Sequence, residues 1–117
     1  MQRVDILLEA NVIQKDTYDF IHQVIKLMKE EHDLEEKQME MMITHLAMAT
    51  ERIRSGSIVD EMDKDIYAAV CADADFEVAS KVMQVISELS MVEYPHSEQQ
   101  FMLLHLCNSM KGEDADA

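Results

Sequence analysis

Three residues in this 117-residue chain break helices by their backbone chemistry: Gly56, Pro95 and Gly112. A strand-and-turn fold places Gly, Asn or Pro at most of its reversals, so this scarcity points to helices joined by few turns. Between the breakers, apolar residues make up much of the chain and recur at helical spacing. An all-α chain forming one domain with a single core is expected. Eleven Met, three Phe and no Trp imply a core filled by flexible aliphatic side chains.

In chain order, Val4 to Ala10 reads as a short helix that turns Val4, Leu7 and Leu8 inward and stops at Asn11. Val12 and Ile13 read as an extended apolar plug leading to Asp16, which is expected to cap a second helix reaching Glu31. Tyr18, Ile21, Val24, Ile25 and Met28 form its inner face, with His22 on the polar side. His32 falls near its end, where the helix dipole favours a cation. Asp33 to Glu36 is a charged connector. A long helix then runs from about Glu35 to Arg54, burying Met39, Met42, Ile43, Leu46, Ala49, Thr50 and Ile53, and Gly56 ends it in a left-handed cap.

Ser57, with Asp60 three residues on, is expected to cap a third helix carrying Met62, Ile66, Ala69 and Val70 inward. The segment from Cys71 to Asp75 breaks it. A fourth helix, from about Asp75 to Ser90, carries Phe76, Ala79, Val82, Met83, Ile86 and Leu89 at core spacing. After the turn Tyr94-Pro95-His96, a capping box of Ser97 and Gln100 is expected to open a last helix, Glu98 to about Met110. That helix is apolar round most of its circumference, which is the mark of a buried helix. Its polar strip is Glu98, His105 and Ser109. The domain is expected over residues 1–112, with an acidic tail over 113–117.

Two of these helices share a device. His45 and Arg52 lie seven residues apart on the long helix, and Glu98 and His105 lie seven apart on the last. Seven residues is close to two turns, so each pair shares one side of its helix, offset by roughly 20°. His45 falls about 100° from the middle of the buried stripe, at the border of core and solvent. The two position numbers add to the same value for His45 with His105 as for Arg52 with Glu98. An antiparallel packing that levels the histidines therefore also levels the ion pair.

The formal net charge is -14, from 24 acidic residues against 10 Lys and Arg. Such a surface repels the phosphates of a nucleic acid and an anionic membrane alike. Cys71 and Cys107 lie in apolar helical surroundings and are expected as buried free thiols of a cytosolic protein. No long apolar run marks a secretory signal or a transmembrane helix. The sequence offers no activated nucleophile, glycine-rich phosphate loop or paired-carboxylate signature, so no enzyme is expected. His45, His105 and Glu98 are possible metal ligands, but no ligand motif accompanies them and no metal or cofactor is expected. A half-exposed histidine on an anchored helix also suits phosphoryl transfer from a donor protein. The added phosphate carries nearly two negative charges and calls for a guanidinium.

The segment from His45 to Arg52, His-Leu-Ala-Met-Ala-Thr-Glu-Arg, resembles the first histidine motif of the PTS regulation domain (PRD), a His followed seven residues later by Arg. Pro95 to Leu106 resembles the second, an acidic residue followed by an apolar run ending in His-Leu. Many members carry Asp before the first His, where this chain has Thr44. The resemblance covers nearly the whole chain. It implies a compact five-helix PRD-type bundle of antiparallel helix pairs, here with a short N-terminal helix added. It also implies a cytoplasmic regulator of bacterial carbohydrate use, antiterminator-like, that shifts its dimerisation when phosphotransferase-system proteins (HPr or an EIIB component) phosphorylate it. By the resemblance His45 and His105 are the phosphorylation sites, and Arg52 and Glu98 their motif partners. With one copy and no nucleic-acid-binding module, output through homodimerisation or binding of another protein is expected. An unphosphorylated helical dimerisation or interaction module is the alternative.

Overall fold

Six helices appear in the computed structural model, which describes residues 1–90 and 92–111. They are α1 (Gln2–Glu9), α2 (Lys15–His32), α3 (Glu36–Arg54), α4 (Lys64–Cys71), α5 (Phe76–Ser90) and α6 (His96–Lys111), and no strand occurs among the described residues. The result is the expected all-α arrangement, five helices of a bundle with a short helix before them. The acidic tail expected over 113–117 lies outside the described residues.

Helix ends follow from local chemistry. Asn11 adopts φ 60° after α1, with its N–H donated to Leu8 O and that of Val12 to Leu7 O. Gly56 takes the same role after α3: at φ 82° it donates to Ile53 O while Ser57 N donates to Arg52 O, the paired bonds of a Schellman cap. An L side chain at Gly56 meets no neighbour, so a substitution there is strained by φ alone. At the start of α3, Glu35 N donates to Gln38 Oε1 at 3.1 Å.

α3 lies at the centre, against α1, α2 and α6, while α6 also packs on α4 and α5. Met39, Met42, Ile43, Leu46 and Ala49 of α3 are sealed from solvent, as are Met102 and Leu106 of α6. Ile21, Val24 and Met28 of α2 and Ile86 of α5 complete this core. Methionine fills the space between α3 and α6 because an unbranched thioether adapts to an irregular gap.

Several local expectations need correction. α2 begins at Lys15 with Gln14 as its cap residue, so Asp16 sits in the first turn and does not cap. Glu51 of α3 does that work from outside, accepting from Gln14 N at 2.9 Å and from the Thr17 hydroxyl. Of the apolar plug, Ile13 is buried and Val12 is exposed.

Ser57 caps nothing, because residues 57–63 are not helical. They run across to α6, where the buried Met62 donates its N–H to Gln100 Oε1 at 2.9 Å. α4 starts later, with Asp63 Oδ1 accepting from Asp65 N and Ile66 N. That bond to Met62 also removes Gln100 from the expected capping box, and α6 opens two residues earlier than expected, at His96 after Pro95. α4 is too short to bury a wide face. Val70 is its one buried residue, while Ile66, Ala69 and Cys71 face outward. Leu89 is exposed as well. Cys71 is thus not the buried thiol expected; Cys107 is, and burial pushes its pKa up to about 11. Lys111 is helical and bridges Asp73 and Asp75, tying the end of α6 to the turn before α5.

The two candidate caps separate cleanly. Asp63→Ala is expected to cost about 1 kcal/mol of unfolding free energy by removing two acceptor bonds. Ser57→Ala, whose hydroxyl faces Ser55 Oγ at 3.4 Å, is expected to leave the denaturant midpoint unchanged. Equal effects in chemical denaturation would return the cap to Ser57.

Candidate functional site

α6 is apolar round most of its surface, yet its first turn carries a carboxylate with 1% side-chain exposure, Glu98. An ionic group so placed needs a partner, and α3 supplies it. Arg52 donates from Nε to Glu98 Oε2 and from its NH2 to Glu98 Oε1, both at 3.0 Å. This is the two-pronged fit of a guanidinium to a carboxylate. Arg52 stands in the last turn of α3, where the Schellman cap fixes its backbone, and its side chain keeps 30% exposure.

Toward the middle of the two helices, His45 and His105 meet with ring centroids 4.8 Å apart and planes tilted by 31°. His45 with His105 and Arg52 with Glu98 require α3 and α6 to run antiparallel, in the register read from the matching sums. All four residues are thus brought together. One feature is tighter than expected: Glu98 Oε1 also lies 3.7 Å from His45 Nε2. That is beyond a hydrogen bond but well within electrostatic contact. The carboxylate therefore faces both a guanidinium and an imidazole.

Phe101 completes the surroundings of His45, with ring centroids 6.1 Å apart. The sequence reading missed it, although its position three after Glu98 and four before His105 places it on their face. Another unforeseen contact is the buried bond between Thr50 and Tyr94, hydroxyl to hydroxyl at 2.8 Å, which ties α3 to the turn before α6. Thr44, the residue before His45, donates to Glu40 O of the preceding turn and accepts from Arg3 at 3.5 Å. It presents no charge to His45. Among the described residues no group of three or more His, Cys, Asp or Glu is placed to hold a metal ion.

Burial is the largest influence on His45, holding its pKa down to about 4. The neighbouring His105 and Arg52 add to the effect, and Glu98 opposes it. His45 is accordingly a neutral ring at pH 7, with a lone pair on one nitrogen. His22, His32 and His96 lie elsewhere: His22 edge-on to Tyr18, His32 at the end of α2, and His96 at the start of α6 beside Tyr67.

The asymmetry of burial in the ion pair sets its energetics. Arg52→Ala strands the enclosed Glu98 carboxylate, whereas Glu98→Gln frees a guanidinium that already reaches water. Arg52→Ala is expected to cost about 3 kcal/mol and Glu98→Gln about 1 kcal/mol. The double variant is expected to recover part of the loss of Arg52→Ala. Urea denaturation of the three variants checks the order, and equal costs would overturn it.

His45 also gives a pH signature. Its unfolded ring titrates near 6.5 and its folded ring near 4, so between these values the unfolded chain binds a proton that the folded chain refuses. This contribution is fully present above pH 6.5 and is lost as pH falls toward 4, by on the order of 3 kcal/mol at most. His45→Gln is expected to flatten that part of the stability curve measured by denaturation at pH 7 and pH 4.5.

The PRD domain family matches residues 18–109, a span that contains the whole constellation. The chain is also similar to the uncharacterized protein YhfY of Escherichia coli (strain K12), at 27% identity over 106 residues, covering 89% of this chain and 88% of that protein. No solved structure matches it significantly. No helix among the described residues is long and apolar enough to cross a membrane. With most of its length, and all four site residues, inside the matched span, the chain belongs to the PRD domain family.

Proposed function

We propose that this PRD domain is a substrate of phosphotransferase-system proteins, HPr or an EIIB component, which phosphorylate it on His45, His105 or both. The modification then shifts its association with itself or with another protein, and through that association the transcription of carbohydrate-use genes. In this role the domain accepts a phosphoryl group and catalyses nothing itself.

The observation that carries the reading is the paired imidazoles at 4.8 Å, half-buried beside a buried carboxylate and its guanidinium. A ring anchored on a core helix, neutral at pH 7 and reachable from one side, is a competent nucleophile for a phosphoryl donor. A phosphate added there meets an already charged pair, so the modification acts on the contact that aligns α3 with α6. Such a local charge change biases packing between elements, which is how phosphorylation alters assembly.

A second reading has its own support. Val78, Val85 and Leu89 form an exposed apolar stripe along α5, and such a stripe serves equally in an interaction module that is never phosphorylated. A phosphorylation assay separates the two.

Incubation with phosphoenolpyruvate, enzyme I and HPr, with an EIIB component if HPr fails, is expected to place acid-labile phosphate on the protein. His45→Ala with His105→Ala is expected to abolish the label and keep the helical circular dichroism. His22, His32 and His96 are expected to stay unlabelled. Two phosphate dianions at the spacing of these rings repel by about 3 kcal/mol even at the dielectric constant of water, so labelling is expected to stop near one phosphate per chain. Label persisting in the double variant would move the site elsewhere. No label with any donor would leave the interaction module.

A further inference from the structure

The two nitrogens of His45 have different surroundings. Nε2 is buried, makes no hydrogen bond among the described residues and faces the Glu98 carboxylate at 3.7 Å. The side chain keeps 21% exposure, and with Nε2 enclosed none of that opening lies at Nε2, which leaves Nδ1 as the nitrogen to be reached. A donor protein must approach from solvent, so it meets Nδ1. A phosphoryl group on Nε2 would instead be forced into a closed space against a carboxylate, like charge against like.

The same carboxylate decides which nitrogen has the lone pair. A neutral imidazole carries its hydrogen on one nitrogen and its lone pair on the other. A carboxylate facing Nε2 favours the hydrogen there and disfavours the lone pair, as an orienting acid does for a catalytic histidine. The tautomer so selected has hydrogen on buried Nε2 and the nucleophilic lone pair on Nδ1.

We propose that His45 accepts a phosphoryl group at Nδ1, and that Glu98 is the positioning residue that sets the reactive tautomer. This rests on the phosphorylation reading above and adds the atom and the reason for it. In the step, the Nδ1 lone pair attacks the phosphorus of the donor's phosphohistidine and a new P–N bond forms. The donor's P–N bond breaks, its electron pair returning to the donor ring nitrogen, which takes a proton from solvent. The hydrogen on His45 Nε2 stays in place, and the positive charge that develops on the ring lies opposite Glu98. Arg52 holds the carboxylate through two hydrogen bonds and so fixes its aim at Nε2.

Two measurements on the full chain test this. Long-range proton–nitrogen NMR on the 15N-labelled, unphosphorylated protein reads the tautomer of His45. Hydrogen on Nε2 is the expected result, and hydrogen on Nδ1 would overturn the proposal without any donor. Glu98→Gln is expected to at least halve the Nε2–H population, and Glu98→Asp, which keeps the charge, to restore most of it. An unchanged tautomer in Glu98→Gln would remove Glu98 from its role.

The second measurement labels the wild-type protein with phosphoenolpyruvate, enzyme I and HPr, isolates the peptide containing His45 and resolves the two phosphohistidine isomers by chromatography. The Nδ1 isomer is expected. The Nε2 isomer would overturn the proposal while leaving the phosphorylation reading intact. Label confined to His105 would overturn the proposal alone, and failure of every donor to label either histidine would overturn both.

Discussion

A carboxylate shut away from water is the constraint from which the arrangement of α3 and α6 follows. Glu98 lies inside the bundle with 1% of its side chain exposed, near the positive end of the α6 dipole. The dipole alone does not compensate an ion removed from water, whose effective burial cost is several kcal/mol. Arg52 must therefore arrive at one height along α6. A slip of one turn, about 5.4 Å, would leave Glu98 against the apolar surface of α3. With that pair fixed and the helices antiparallel, His45 has no choice but to face His105. The histidine pair is a geometric consequence of the ion pair.

The anchorage of that pair extends outward through small devices. The Schellman bonds at Gly56 hold the backbone of Arg52, and Ser55 Oγ also donates to Arg52 O. One residue earlier, Glu51 holds the start of α2, so the final turn of α3 is gripped from both sides. The Thr50–Tyr94 bond fixes the turn from which α6 departs. Each contribution is modest, on the order of 1 kcal/mol, but all are anchored at or just before the last turn of α3.

What was legible in the sequence was what depends on spacing. The matching offsets of His45–Arg52 and Glu98–His105 gave the orientation and register of α3 and α6, because helical period alone decides which side chains share a face. The stops at Asn11 and Gly56 were legible because a left-handed residue after a helix is a local backbone requirement. Residues 57–71 were misread for the opposite reason. Ser57 and Asp63 carry comparable local capping signals, and the choice depends on Gln100, far along the chain, accepting the N–H of Met62. Cys71 and Leu89 looked buried because periodicity gives a helix face but not whether a neighbour covers it. Glu98's reach to His45 was hidden likewise: a glutamate's position on a helix does not say where its carboxylate ends up.

Under the proposed function, the charge of a new phosphate has a definite reception. Arg52 uses Nε and one terminal nitrogen on Glu98, so three of its five N–H donors are not committed to that carboxylate. The uncommitted edge belongs to a side chain that is 30% exposed. The guanidinium can therefore turn toward a phosphate outside the bundle while the buried carboxylate keeps its cation. A full exchange, with Arg52 leaving Glu98, would strand a charge in the interior and work against the modification. Sharing avoids that cost, and it draws the phosphate along the outer edge of α3 toward Arg52. A phosphate bound in that way leaves the core in register and alters the exposed border of α3 and α6, the part of the site another protein can reach.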